Sequence, residues 1–320
     1  MPSGILIDLN DGGKPMEITS GIRCPSFGAA FAEGYKQPVT LTIPEYIAGS
    51  QVIYIPRATA YYDGSFKIFH VLASISINGA TVTQNIVMGN GNYAFGGSVW
   101  QILPASTGGR NVGLFVSGST DFVSITTASS VGVCVWKGTV NVPSGGWSTP
   151  TISGYDRSKY IVFARWNSSA VIDFDGWTIR AFNESHRDGD DPTTATLDIV
   201  IFASGVVPTP GPGINIFNAA GQCTFSTVTR PFIFNGTMWS PSTSGVNIGT
   251  GYVPLGRFGC MRHIRPNTNN QYVFRMLGLK MNNGVISVGE GKYIGWDTWD
   301  HIGKTIVTSL SLPIVPDMYL

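Results

Sequence analysis

An all-β, multi-domain chain built from antiparallel β-sandwich or β-barrel-like modules is predicted by three observations. Short runs rich in Val, Ile, Phe, Tyr and Thr alternate along the whole length, broken by Gly, Asn, Asp and Pro. Asx-Gly dipeptides recur at Asn78-Gly79, Asp175-Gly176, Asn235-Gly236 and Asn283-Gly284, where glycine accepts the positive φ of a tight reversal. Helical periodicity never extends past about one short helix, and the 8 Lys and 5 Glu are too few for long exposed helices.

The first module is read as 1–106. It contains the strand Val52-Ile53-Tyr54-Ile55 and a hairpin centred on Asn78-Gly79. The second, 107–207, carries strands at Val112–Val116, Gly132–Trp136 and Tyr160–Phe163, a turn at Asp173–Gly176 and four of the eight tryptophans. Its length and strand spacing predict an Ig-like sandwich. The linker Val206-Val207-Pro208-Thr209-Pro210-Gly211-Pro212-Gly213 cannot continue a central strand, because proline has no N–H to give a ladder. It opens the third module, 208–320.

After that linker the text begins again. Gly4-Ile5-Leu6-Ile7 with Asn10-Asp11-Gly12 is echoed by Gly213-Ile214-Asn215-Ile216 with Asn218-Ala219-Ala220-Gly221, and Arg23 by Arg230. Ile68–Leu72 is echoed by Val273–Leu277, each running on to an Asn-Gly turn. Two readings stay open: a duplication flanking a middle domain, or hairpins that look alike because Gly-Ile-x-Ile and Asn-Gly are common patterns.

Composition narrows the function. Of 320 residues 43% are hydrophobic, which excludes disorder, and only 12% are charged, which points to a surface spent against other subunits or to a neutral polar coat. With a net charge of +1 no global field steers the chain to nucleic acid. No secretory leader is read at Met1–Asp8, and no apolar run spans a membrane, so membrane insertion is not expected. Cys24, Cys134, Cys223 and Cys260 form no CxxC pair and are expected as reduced thiols.

Motifs for chemistry are sparse, and no enzyme, catalytic residue or cofactor is expected. Gly303-Lys304-Thr305 ends like a phosphate loop, but Thr298 stands where its first glycine belongs. Asp188, Asp190 and Asp191 lie close enough in sequence to offer oxygen ligands to Ca²⁺, though without EF-hand spacing; a solvated loop is the expected reading and no metal is assigned.

Charge is uneven. The three modules carry −1, −2 and +4, and no Asp or Glu occurs between Asp198 and Glu290. That stretch holds Arg257, Arg262, Arg265 and Arg275, guanidinium groups that grip carboxylates or phosphates in pairs. With Trp296 and Trp299 they are the candidate partner-binding residues; Tyr61 and Tyr62 are further aromatics able to stack on a sugar.

The openings Gly4-Ile5-Leu6-Ile7, Asn10-Asp11-Gly12 and Ile18-Thr19-Ser20-Gly21-Ile22-Arg23 resemble the first strands of β-rich virion proteins of long-tailed bacteriophages, found at the tail tip or central tail fibre. Gly213-Ile214 through Phe225-Ser226-Thr227 is similar to a strand–turn–strand element of the same proteins, departing from it where no Asp precedes Ser226. The resemblance implies a non-enzymatic structural protein of a siphophage virion, assembled in the host cytoplasm. Other phage tail proteins and further copies of itself would be its partners, and a host surface glycan or outer-membrane receptor its target. The alternatives are an adhesin that binds carbohydrate or lipopolysaccharide, and a capsid decoration protein.

Overall fold

The computed structural model describes all residues except 1–3, 20, 21, 23, 90–92, 105–130, 186, 218, 219 and 234. Among the described residues the regular elements are antiparallel strands, apart from a 3-10 turn at Arg157–Lys159, as the alternation predicts. The strand expected at Val112–Val116, and Arg23 of the first echo, lie outside the described residues.

One strand order occurs three times. In the first unit the sheet runs Ser26–Phe31, Gly97–Ile102, Gln51–Pro56, so the last strand sits between the first two. The second unit repeats this as Val133–Val142, Ala195–Ala203, Tyr160–Trp166. In the third, Met238–Trp239 pairs with Leu312–Pro313. Tyr252 and Val315 exchange backbone bonds of 2.8 and 3.0 Å there, which brings Val253–Pro254 in on the other side.

Each unit inserts a hairpin between its second and last strands, and its tip is one of the Asx-Gly turns. The hairpins are Ile68–Asn78 with Thr81–Met88, Ser168–Phe174 with Thr178–Phe182, and Tyr272–Asn282 with Val285–Asp297. A short edge strand from the loop before the second strand (Thr40–Thr42, Trp147–Ser148, Val246–Asn247) covers each hairpin. The resemblance between 1–106 and 208–320 therefore extends to the middle span, expected as an Ig-like sandwich over 107–207, whose strands belong to two sheets with a shared core that takes Val162 and Ala164 from one and Ile172 and Phe174 from the other. Strand spacing specifies how many strands there are; it does not say which distant strand each one pairs with.

The units share ladders. Phe163 lies opposite Pro254, and Ile172 opposite Leu279, so strands of the second and third units continue one another's sheets. An inner core takes side chains from the second and last strands of all three: Ile53 and Trp100, Phe163 and Phe202, Tyr252 and Val315. Two leading hairpins, Gly4–Ile7 with Met16–Thr19 and Asn215–Phe217 with Cys223–Ser226, add Ile18 and Phe225 to it. Arg230 fastens these parts together, donating to Asp11 at 2.6 and 2.9 Å and to the Met318 carbonyl at 2.6 Å. The apolar C-terminus is docked: the buried Tyr319 hydroxyl donates to the Pro231 carbonyl at 2.7 Å. All four cysteines are free thiols, and burial pushes those of Cys134 and Cys260 up to about 12.

The third hairpin tip tests this packing. Asn283 and Gly284 have φ of 50° and 73°, the pair of positive values a type I′ turn needs. A Cβ on Gly284 would stand 2.5 Å from the Gly249 carbonyl oxygen. Gly284→Ala should therefore cost about 1–3 kcal/mol in urea denaturation, whereas Gly79→Ala, at a tip with open space, should cost less.

Candidate functional site

Two large, strongly exposed side chains stand where the first and third units meet. Phe66 (71% exposed) rides on the turn between Ala60–Asp63 and Ile68–Asn78, and Trp299 (73%) on the loop after Val285–Asp297. Trp296 and Ile264, both about half exposed, stand at the ends of the paired strands Val285–Asp297 and Gly259–Ile264. Beneath this rim lies a small core of Ala60, Phe69, Val71, Cys260, Phe274, Met276 and Ile302.

Carboxylates shape the two turns. Asp63 accepts from the N–H groups of Ser65 and Phe66 at 2.9 and 3.2 Å, which turns the chain so that Phe66 points outward. Asp297 accepts from the Trp299 N–H at 3.2 Å, and Asp300 from those of Ile302 and Gly303. Lys67 bridges the turns, its ammonium 3.0 Å from Asp297 Oδ2, and His301 Nε2 lies 3.2 Å from the same oxygen. The Lys67 and His301 hydrogen bonds hold the Asp297 carboxyl well below the usual carboxylate range. An ionised Asp297 thus keeps Phe66 and Trp299 on one platform.

Two of the four expected arginines, Arg262 and Arg265, are partly exposed at the end of the Gly259–Ile264 strand. Arg265 lies 4.2 Å over the Trp296 ring, donates to Asp188 at 2.5 Å and to Gln271 at 2.6 Å. Arg262 stacks 4.8 Å over Tyr272 and pairs with Asp300 at 2.8 Å. These stacks fix the orientation of the rings. The other two are internal. Arg257 grips the fully buried Asp173 through two bonds of 2.9 and 3.0 Å. Arg275 is fully buried and donates to the carbonyls of Arg187, Gly189 and Gly291.

The acid-free stretch is thus met by acids from other parts of the chain. Asp188 pairs with Arg265 and Asp190 with Lys292, and Asp190 also accepts from the Tyr293 N–H, so the loop is clamped to the third hairpin. Among the described residues no group of three His, Cys, Asp or Glu is arranged to hold a metal ion. Tyr61 stacks on Tyr93 with ring centres 4.7 Å apart, and Tyr62 packs on Phe69, so each has one ring face covered.

Sequence reasoning picks out Trp296, Trp299, Arg262 and Arg265 but passes over Phe66, Lys67 and Ile264. The signal was present in Asp63-Gly64-Ser65-Phe66, a turn motif that carries a large aromatic where a polar residue is usual.

Three aromatic side chains and one aliphatic, Phe66, Trp296, Trp299 and Ile264, are thus exposed at these strand ends and turns, near paired charges. Large exposed apolar side chains held in this way are the usual anchors of a protein or saccharide contact.

A family model described as "Family of unknown function (DUF6453)" matches residues 4–298, and the chain belongs to that family. No curated protein and no solved structure matches it.

Proposed function

Taking that membership as the premise, we propose that the chain is a non-enzymatic structural protein of a phage virion, placed at the tail tip or central tail fibre. It assembles there with other tail proteins and with copies of itself, and its aromatic rim contributes to host attachment. The observation that carries the attachment role is the set of exposed aromatics: Phe66 and Trp299 stand on turns braced by Lys67–Asp297, and Trp296 is exposed near the end of the Val285–Asp297 strand. The tail assignment rests on the resemblance at 4–23 and 213–227. In support of it, both stretches contain leading hairpins, and both feed one inner core. The charge-poor surface agrees with a part that is made in the host cytoplasm and buried among neighbours.

A tagged copy supplied during phage growth should co-sediment with density-purified particles and label one end of the tail by immunogold. Particles of full infectivity that lack the protein would sink the assignment. The same rim also favours a second reading, an adhesin that binds carbohydrate or lipopolysaccharide directly, because exposed Trp and Tyr stack on sugar rings. On either reading Trp296→Ser with Trp299→Ser lowers adsorption to host cells and leaves folding intact.

A further inference from the structure

Three Asn-Gly pairs lie wholly among the described residues: Asn78-Gly79, Asn235-Gly236 and Asn283-Gly284. Besides making turns, this dipeptide carries a reaction of its own. The backbone nitrogen that follows an asparagine can attack the side-chain amide carbon, and glycine, lacking a Cβ, hinders that nitrogen least. Closing the five-membered ring takes both residues out of their folded conformation, so any grip on them slows it.

The fold grips the three pairs unequally. At the third hairpin tip the Asn283 N–H donates to Asn167 Oδ1 at 2.9 Å, and the Gly284 carbonyl accepts from the Ile248 N–H at 2.8 Å. At Asn235 the side-chain oxygen accepts from the Thr237 N–H at 3.0 Å, which ties the amide into its own turn. Asn78 is held only through its backbone: it closes the first hairpin opposite Thr81, with Gly79 at φ 56° on the tip. Both residues are exposed, and a Cβ on Gly79 would meet no atom within 4 Å. No described residue hydrogen-bonds the Asn78 side chain.

That tip also anchors a neighbour. In the edge strand Thr40–Thr42, Leu41 lies opposite Val82 and Thr42 opposite Thr81, and the Ile43 N–H donates to the Ala80 carbonyl at 2.9 Å.

We propose that Asn78 is a self-modification site, converted to isoaspartate without an enzyme, and that the conversion loosens the Thr40–Thr42 edge strand. The Gly79 nitrogen forms a bond to Asn78 Cγ, the Cγ–Nδ2 bond breaks, and the nitrogen's proton leaves with Nδ2 as ammonia. Water then opens the succinimide. Attack at the main-chain carbonyl leaves isoaspartate, with the chain running through Cγ, and attack at Cγ leaves aspartate. The isoaspartate link adds one methylene to the backbone at the residue that closes the hairpin, so the pairing with Thr81 loses its register. The site stands at the far end of the Ile68–Asn78 strand from Phe66, and the inference is independent of the attachment role.

The test holds the full chain in warm, mildly alkaline buffer and follows residues 78 and 283 by peptide mass spectrometry, with isoaspartate and aspartate separated by chromatography. Asn78 should convert about tenfold or more faster than Asn283, the factor expected when one or two hydrogen bonds must open first. In urea the difference should vanish, because glycine follows both asparagines and the chain no longer grips either. Asn167→Ala, an exposed change, should speed Asn283 alone. Backbone amides at 40–43 and 81–83 should exchange faster in the aged parent than in Asn78→Gln aged beside it, whose longer side chain closes a ring far more slowly. Equal rates at the two sites in the folded chain overturn the inference, and so does a difference that persists in urea. Unchanged exchange once residue 78 has converted overturns it equally, since the edge strand is then held without that turn.

Discussion

Arg275→Met should lower the unfolding free energy by about 3–5 kcal/mol, because it removes the cation of a buried charged cluster and the donor of three carbonyls. The side chain is fully buried in the Tyr272–Asn282 strand, and its guanidinium holds three carbonyls: Arg187 at 2.8 Å, Gly189 at 2.7 Å and Gly291 at 3.1 Å. Glu290, itself 5% exposed, lies 3.6 Å away. Methionine fills much of the volume but supplies neither the charge nor the donors. Besides the shift in a urea titration, backbone amides at 187–191 should exchange faster, since two of the three carbonyls belong to that loop. A loss below about 1 kcal/mol, with unchanged exchange, would mean that the arginine is not the clamp it looks to be.

Asp173→Ala should be comparably severe, at about 3–5 kcal/mol, for a different reason. Asp173 belongs to the second unit and is fully buried; its partner Arg257 belongs to the third. The Arg257 carbonyl in turn accepts from the Thr59 N–H and hydroxyl of the first unit at 2.7 and 2.8 Å. This ion pair is therefore where the three units are tied to one another. Removing the carboxylate leaves a guanidinium in a dry seam, whereas Asp173→Asn keeps an acceptor and should cost less. The double change Asp173→Leu with Arg257→Met should recover part of the loss, as paired burial without charge is tolerated. Equal losses in the single and double variants would show that packing, not charge, accounts for the effect.

How much of this was legible beforehand follows from the reach of each signal. The Asx-Gly turns were readable, because a positive φ is a local demand that few residues meet, and each of the three hairpin tips carries one. The echo between Ile68–Leu72 and Val273–Leu277 was readable too, since both open a long strand that runs to such a turn. Arg262, Arg265, Trp296 and Trp299 were noticed for their residue types. The internal roles of Arg257 and Arg275 were not legible, because Asp173 and the Arg187 and Gly189 carbonyls lie 84 to 88 residues away, in a different unit.

By itself the sequence determined that this protein is all-β, where its chain reverses, and that it had little charge to spend. Those are properties of alternation, turn chemistry and composition, and each is set within about ten residues. Tertiary structure alone decided that the middle span repeats the strand order of its neighbours, that the arginine-rich stretch is met by distant acids, and which aromatics stay outside. Strand pairing and ion pairing join segments across the whole chain, and their energy depends on the burial and register that only the assembled sheets provide.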